Sequence, residues 1–134
     1  MYTQRQIIDM ALELPGATAD TPFEGDFYST VLRHGDTGKW FGIALKAPRS
    51  MVGLAGDGHA EVLDLKCDPL VSFGLMQSYP DIVPAYHMNK HHWIAIRLEG
   101  DVPEDVVRML LEMSFSLTQG KRSQRSGRAG DSRC

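Results

Sequence analysis

Two β-rich runs, residues 27–34 and 39–46, flank Gly35-Asp36-Thr37-Gly38, and this arrangement constrains the fold more than any other feature of the chain. Glycine and aspartate tolerate the positive φ of a tight loop, so the runs are predicted to pair as an antiparallel hairpin. In the second run Phe41, Ile43 and Leu45 alternate with Trp40, Gly42 and Ala44. A period of two predicts that the first set faces the core. Further strands are predicted over residues 60–66 and 92–98. In the latter, Ile94, Ile96 and Leu98 alternate with Trp93, Ala95 and Arg97. Residues 47–59 are rich in glycine and read as a loop, in which Met51 to Leu54 can add a short edge strand.

Helix boundaries are equally legible. Thr3 and Gln6 fit a capping box ahead of Ile7, Ile8, Ala11 and Leu12, which share a helical face until Pro15-Gly16 stops the helix. Gly16 to Asp26 reads as an ordered connection, with Phe23 as its anchor into the core. Asp68-Pro69 supplies a cap and a proline preset for the first helical position. Leu70, Phe73 and Met76 are then predicted to face inward until Tyr79-Pro80 ends the helix. The last helix starts near Pro103, with Glu104 and Asp105 opposing the positive end of its macrodipole. Its predicted buried stripe is Val106, Leu110, Met113 and Leu117. The predicted class is α+β: a two-layer fold with a mostly antiparallel sheet and helices packed on one face. The hairpin and short connections leave little room for parallel crossovers.

With 134 residues, 43% hydrophobic and 23% charged, the chain suits one domain, predicted over residues 1–119. Residues 120–134 form a basic tail without an apolar anchor, predicted to be disordered. The segment 121–134 carries five basic residues against Asp131, a net of +4; taking that from the overall −3 leaves residues 1–120 at −7, with nine basic against sixteen acidic side chains. Such a body repels a polyanion at long range, so nucleic-acid binding requires a local basic patch or the tail. No export signal or membrane span is visible, and Cys67 and Cys134 are a poor basis for a disulfide or zinc framework. The chain reads as cytoplasmic, without a membrane partner, as a monomer or homodimer.

Chemistry-bearing residues concentrate in Tyr86, His87, Asn89, Lys90, His91, His92 and Trp93. Lys90 suits a phosphate, Asn89 an adenine edge, and Tyr86 or Trp93 an unpaired base, with Arg33, Lys39 and the tail as helpers. The competing reading is a rigid loop whose aromatics pack on the sheet and whose Asn89 bonds its own backbone. His87, His91 and His92 lack a cysteine or carboxylate beside them, so no metal is expected. No nucleophile elbow or paired-carboxylate signature appears, and the chain reads as non-enzymatic with no cofactor. Cys67 precedes a helix start, a position that can lower a thiol pKa. Gly53, Gly56 and Gly58 lack the Gly-Lys-Ser/Thr of a phosphate loop.

The segment Tyr79-Pro80-Asp81-Ile82-Val83-Pro84-Ala85-Tyr86-His87-Met88-Asn89-Lys90-His91-His92-Trp93 resembles the signature of the MmcQ/YjbR family. Leu14-Pro15-Gly16-Ala17, Pro22-Phe23, Gly38-Lys39-Trp40-Phe41 and Lys66-Cys67-Asp68-Pro69 follow the family pattern in order, so that the resemblance covers most of residues 10–118. It implies an α-β(3)-α-β(2)-α fold, near the secretion-chaperone-like and frataxin-like shapes, whose sheet forms a double-wing DNA-binding arrangement. DNA is thus the implied partner; the alternative is a protein- or small-ligand-binding module. Where the family commonly carries Lys-Arg-His-Trp-Asn, this chain has Lys90-His91-His92-Trp93-Ile94, one permanent charge and one amide fewer. Glu24 stands for the expected glycine, and Phe115 for a frequent tyrosine.

Overall fold

The predicted capping box opens the first helix, α1 (Gln4–Leu12): the Thr3 hydroxyl accepts from the Gln6 N–H, and the Gln6 side chain accepts from the Thr3 N–H. The computed structural model describes residues 1–86 and 88–120. His87 and segment 121–134 lie outside the described residues, as does the disorder expected of the tail. After α1 come β1 (Ala17–Asp20), β2 (Thr30–His34), β3 (Trp40–Pro48), a 3-10 turn (Arg49–Val52) and β4 (His59–Lys66). Then follow α2 (Pro69–Ser78), β5 (Ile82–Pro84), β6 (Trp93–Arg97) and α3 (Glu104–Leu117). The six strands form one sheet in the order β1-β2-β3-β4-β6-β5, with every neighbouring pair antiparallel. The fold is α+β.

The hairpin forms as read, with Gly38 at φ 76 and its N–H donated to the His34 carbonyl. One strand was not anticipated: Ala17–Asp20 lies in the presumed connection. Its Ala-Thr-Ala-Asp sequence has little β preference, and pairing with β2 along the sheet edge makes it a strand. Phe23 does not anchor in the core. It is 39% exposed and meets Trp40 edge-on across the sheet face that carries no helix. Residues 51–54 add no edge strand; Met51 sits in the 3-10 turn, 64% exposed.

The helices cover one sheet face, where Leu32, Phe41, Leu63, Leu65, Ile94, Ile96 and Leu98 join Ile7, Ala11, Val107, Leu110 and Leu111 in the main core. The opposite face carries a second cluster built from Val31, Ile43, Leu45, Val62 and Ala95. Phe41 therefore parts company with Ile43 and Leu45. The β2–β3 register shows why: Leu32 pairs with Gly42 and Arg33 with Trp40, so Phe41 is the extra residue of a β-bulge. The bulge turns Phe41 toward the helices while Ile43 and Leu45 face away. Gly42 makes room beside it: a Cβ there would approach the Leu65 Cδ2 methyl to 2.9 Å and the Leu32 Cδ1 methyl to 3.1 Å, so that these packed side chains would have to shift.

Two helices are rotated from their predicted settings. In α3 the buried residues are Val107, Leu110, Leu111, Ser114 and Phe115, while Val106 and Met113 are half-buried and Leu117 is 39% exposed. Polar pairing decides this: the Ser114 hydroxyl donates to the Phe41 carbonyl and accepts from the Lys66 N–H, and Thr118 Oγ1 lies 2.7 Å from His34 Nε2. In α2, Asp68 caps Leu70 N–H as predicted. Met76 packs on the core as predicted, but its companions there are Val71 and Leu75, while Leu70 is 91% and Phe73 69% exposed. This helix is apolar on several sides, so periodicity had no polar face to orient it. In α1, Ile7 and Ala11 are buried, but Ile8 is half-buried and Leu12 43% exposed.

Arg97 ties three connections together at the open face. It donates to Asp81 Oδ1 at 2.9 Å and to the Val52 and Pro80 carbonyls at 2.8 Å each, with its side chain 11% exposed. Replacing Arg97 by Met strands these acceptors and is expected to cost roughly 2–3 kcal/mol, below a fully buried pair because Asp81 keeps some solvent. The shift of the urea midpoint measures it; an unchanged midpoint contradicts it.

Candidate functional site

Alternation along β4 places Leu63 and Leu65 on the helix face and Ala60, Val62 and Asp64 on the other. Because β4 lies between β3 and β6, Asp64 has Ile43 directly beside it on one side and Ala95 on the other. It is completely buried, and neither carboxyl oxygen has a hydrogen-bond partner among the described residues. Burial pushes its pKa up to about 8, with the Lys90 ammonium opposing the shift. An unpaired buried carboxyl costs stability, so its presence asks for an explanation.

Asp64 lines a cavity of about 550 Å³ on the face without helices. Ile43 and Leu45 of β3, Phe23 and Trp40, and Tyr86 and Met88 from the loop between β5 and β6 also line it. Phe23 and Trp40 stand 6.0 Å apart between centroids at 73°, a T-shaped pair. The Arg33 guanidinium lies 5.6 Å from the Trp40 ring centroid and is held by Asp20 at 2.7 Å. Two further charges, Asp26 and Lys46, line the cavity. The Asp26 carboxylate accepts from Tyr28 N–H and Ser29 N–H at 2.9 Å each, and bonds from Ser29 first and Tyr28 next hold its pKa below the usual range. The Lys46 ammonium is drawn over the Tyr28 ring at 4.7 Å.

The sequence-predicted site residues divide between this cavity and the loop beside it. Tyr86 lines the cavity and packs on the outer cluster. Asn89 Oδ1 accepts from the His91 N–H at 2.9 Å, the local turn bond of the rigid-loop reading. Lys90 Nζ donates to the Ala85 carbonyl at 3.1 Å, folding the cation back onto its own loop. His91 and His92 are exposed and Trp93 is half-buried, at the start of β6 opposite Lys66. Arg33 reaches the cavity rim through Trp40, while Lys39 is exposed in the hairpin. His87 lies outside the described residues.

Cys67 is buried, and burial raises its thiol pKa with Asp68 adding to the effect, so the lowering that a helix start can give is outweighed. Among the described residues no group of three or more His, Cys, Asp or Glu is placed to hold a metal ion. Nor is any helix among them long and apolar enough to cross a membrane. Asp64 itself went unnoticed in the sequence. The available signal was one aspartate in the middle of an apolar strand, Ala60 to Lys66.

Comparison with known proteins places the chain. The YjbR family model matches residues 12–117. The chain belongs to the YjbR family. Within it, the protein is 38% identical over 119 residues to "Uncharacterized protein YyaQ" of Bacillus subtilis (strain 168), covering 89% of this chain and all of that one. A crystal structure of a Pseudomonas syringae protein superposes with a TM-score of 0.80 at 36% identity, covering 88% of this chain and 100% of that one. Deinococcus radiodurans protein DR2400 gives a TM-score of 0.70 at 25% identity, over 100% of this chain and 97% of that one. This YjbR-family protein thus shares its sheet and helices with solved structures over nearly the whole described chain.

Proposed function

We propose that this YjbR-family protein is a non-enzymatic binding module whose site is the outer-face cavity and whose ligand is a small molecule. One observation carries the reading: a completely buried carboxyl, without a hydrogen-bond partner among the described residues, lines a cavity with aromatic walls. The volume of about 550 Å³ is that of a small-molecule pocket. A few convergent polar groups among apolar walls is the composition such pockets have. Among the described residues no nucleophile or base is hydrogen-bonded to Asp64, which favours binding over turnover.

A screen of aromatic fragments by protein NMR tests this reading. Shifts are expected to cluster on Trp40, Ile43, Leu45 and Tyr86, and Trp40→Ala is expected to weaken the hits about tenfold or more. Hits scattered over the surface, or hits indifferent to Trp40→Ala, reject the cavity as the site.

DNA binding is the second reading, favoured by the exposed run Asn89 to His92 beside Trp93 and by exposed Lys39. Against it stand the commitments of Lys90 to Ala85 and of Arg33 to Asp20, and the net charge of −7 over residues 1–120. Anisotropy titration with a labelled duplex and a labelled single strand separates the two. The DNA reading requires affinity that falls steeply between about 50 and 200 mM salt and depends on Lys90 and the basic segment. Our reading expects no measurable affinity.

A further inference from the structure

The chemistry of the cavity narrows the ligand. We infer that the pocket takes a flat aromatic molecule bearing an amidine- or guanidine-type cation, whose charge the Asp64 carboxylate balances from the cavity wall while Trp40 and Phe23 flank the ring. This inference rests on the cavity being a binding site, as proposed above.

Three independent features converge on it. Neither Asp64 oxygen has a hydrogen-bond partner among the described residues, so a carboxylate at the cavity wall is left for a ligand cation to balance. A second carboxylate, Asp26, lines the same cavity and is held in its ionised form by Ser29 and Tyr28. The walls are Trp40, Phe23 and Tyr86, whose ring faces attract cations as well as flat apolar surface. An anionic ligand would meet both carboxylates. A purely apolar one would leave Asp64 buried and unpaired, with nothing gained from it.

Among the described residues, the groups that bear on Asp64 are few. From the adjacent strands it meets Ile43 and Ala95, neither of which titrates. Lys90 acts on it across space from the loop between β5 and β6, with its ammonium bonded to Ala85. Asp26, Lys46 and Tyr86 line the same cavity, and Arg33 is held at its rim by Asp20. Burial holds the proton on Asp64 up to about pH 8, so a cation that binds there must displace it. Affinity therefore rises with pH.

Benzamidine and its neutral analogue benzamide are the probes, titrated into the full chain and into Asp64→Asn, with the Trp40 indole N–H as the NMR reporter. Wild type is expected to prefer benzamidine about tenfold or more, and Asp64→Asn to remove the preference. The benzamidine constant should tighten up to about tenfold per pH unit approaching pH 8 and then level off, a slope that Asp64→Asn lacks. Comparing the two proteins at each pH cancels every pH effect that they share. Should both probes move the Trp40 signal equally, or should Asp64→Asn keep the preference, the cationic ligand is wrong while the cavity remains a site. Should neither probe move it, the cavity reading fails together with this inference.

Discussion

Asp64→Asn is expected to be no more stable than wild type at pH 4 and more stable by about 5 kcal/mol above pH 8. The carboxyl has an ordinary value of 3.8 in the open chain and about 8 when folded. Between those values the folded state holds a proton that the unfolded state has released, so stability falls as pH rises across the window. The slope approaches about 1.4 kcal/mol per pH unit, and it vanishes above the folded value. Asparagine is nearly isosteric and cannot ionise, so the variant shows no such decline. Urea unfolding of both proteins from pH 4 to 9 measures the difference curve; parallel curves would mean that the carboxyl ionises freely in the fold. His34 contributes with the opposite sign. Burial beside Phe41 and Phe115 lowers its pKa from 6.5, so its stability is lost as pH falls below that value. Being common to both proteins, it cancels in the difference.

Phe41→Ala is expected to lose about 3–5 kcal/mol, enough to leave a domain of ordinary stability partly unfolded. Phe41 has no exposed surface and meets Phe115 at 5.0 Å and 84°, and His34 at 5.4 Å and 60°. Its backbone carbonyl takes the Ser114 hydroxyl, so the same residue docks α3 through both its ring and its main chain. Truncation removes the ring from the centre of the helix-facing core and leaves a cavity that the stiff bulge cannot close. Ile43→Ala, one turn of the pleat away but on the outer face, should cost less, about 2–3 kcal/mol, because Ile43 already borders open space. Chemical denaturation of both variants ranks them. An equal loss would place Phe41 and Ile43 in one core, as simple alternation predicts.

Local chemistry was readable wherever the deciding contacts lie within a few residues. The Thr3–Gln6 capping box, the Asp68 cap with Pro69, the Gly38 hairpin and the alternation of β6 all formed as expected. Failures came where contacts at long sequence separation decide. Leu70 and Phe73 are apolar yet exposed, because Val71, Leu75 and Met76 won the contact with the core. The buried face of α3 runs through Ser114 and Thr118, which a hydrophobicity pattern assigns to solvent. Their partners, Phe41 and His34, stand 73 and 84 residues away.

The candidate site follows the same division. The aromatic and polar residues from Tyr86 to Trp93 announced themselves by composition, and so did their family resemblance. The meaning of Asp64 did not. In isolation it is an ordinary aspartate in a strand, exposed if the strand lies at an edge and solvated if the face is open.

Sequence alone determined the antiparallel α+β class, the order of the main elements and the family, because turn chemistry, caps and period-two alternation act locally. Only the tertiary structure put β4 at the centre of six strands, turned Phe41 through a bulge and closed Trp40, Phe23 and Tyr86 around the outer face. The physical reason is that burial belongs to the assembled sheet: a carboxyl is stripped of water by neighbours that its own strand cannot supply.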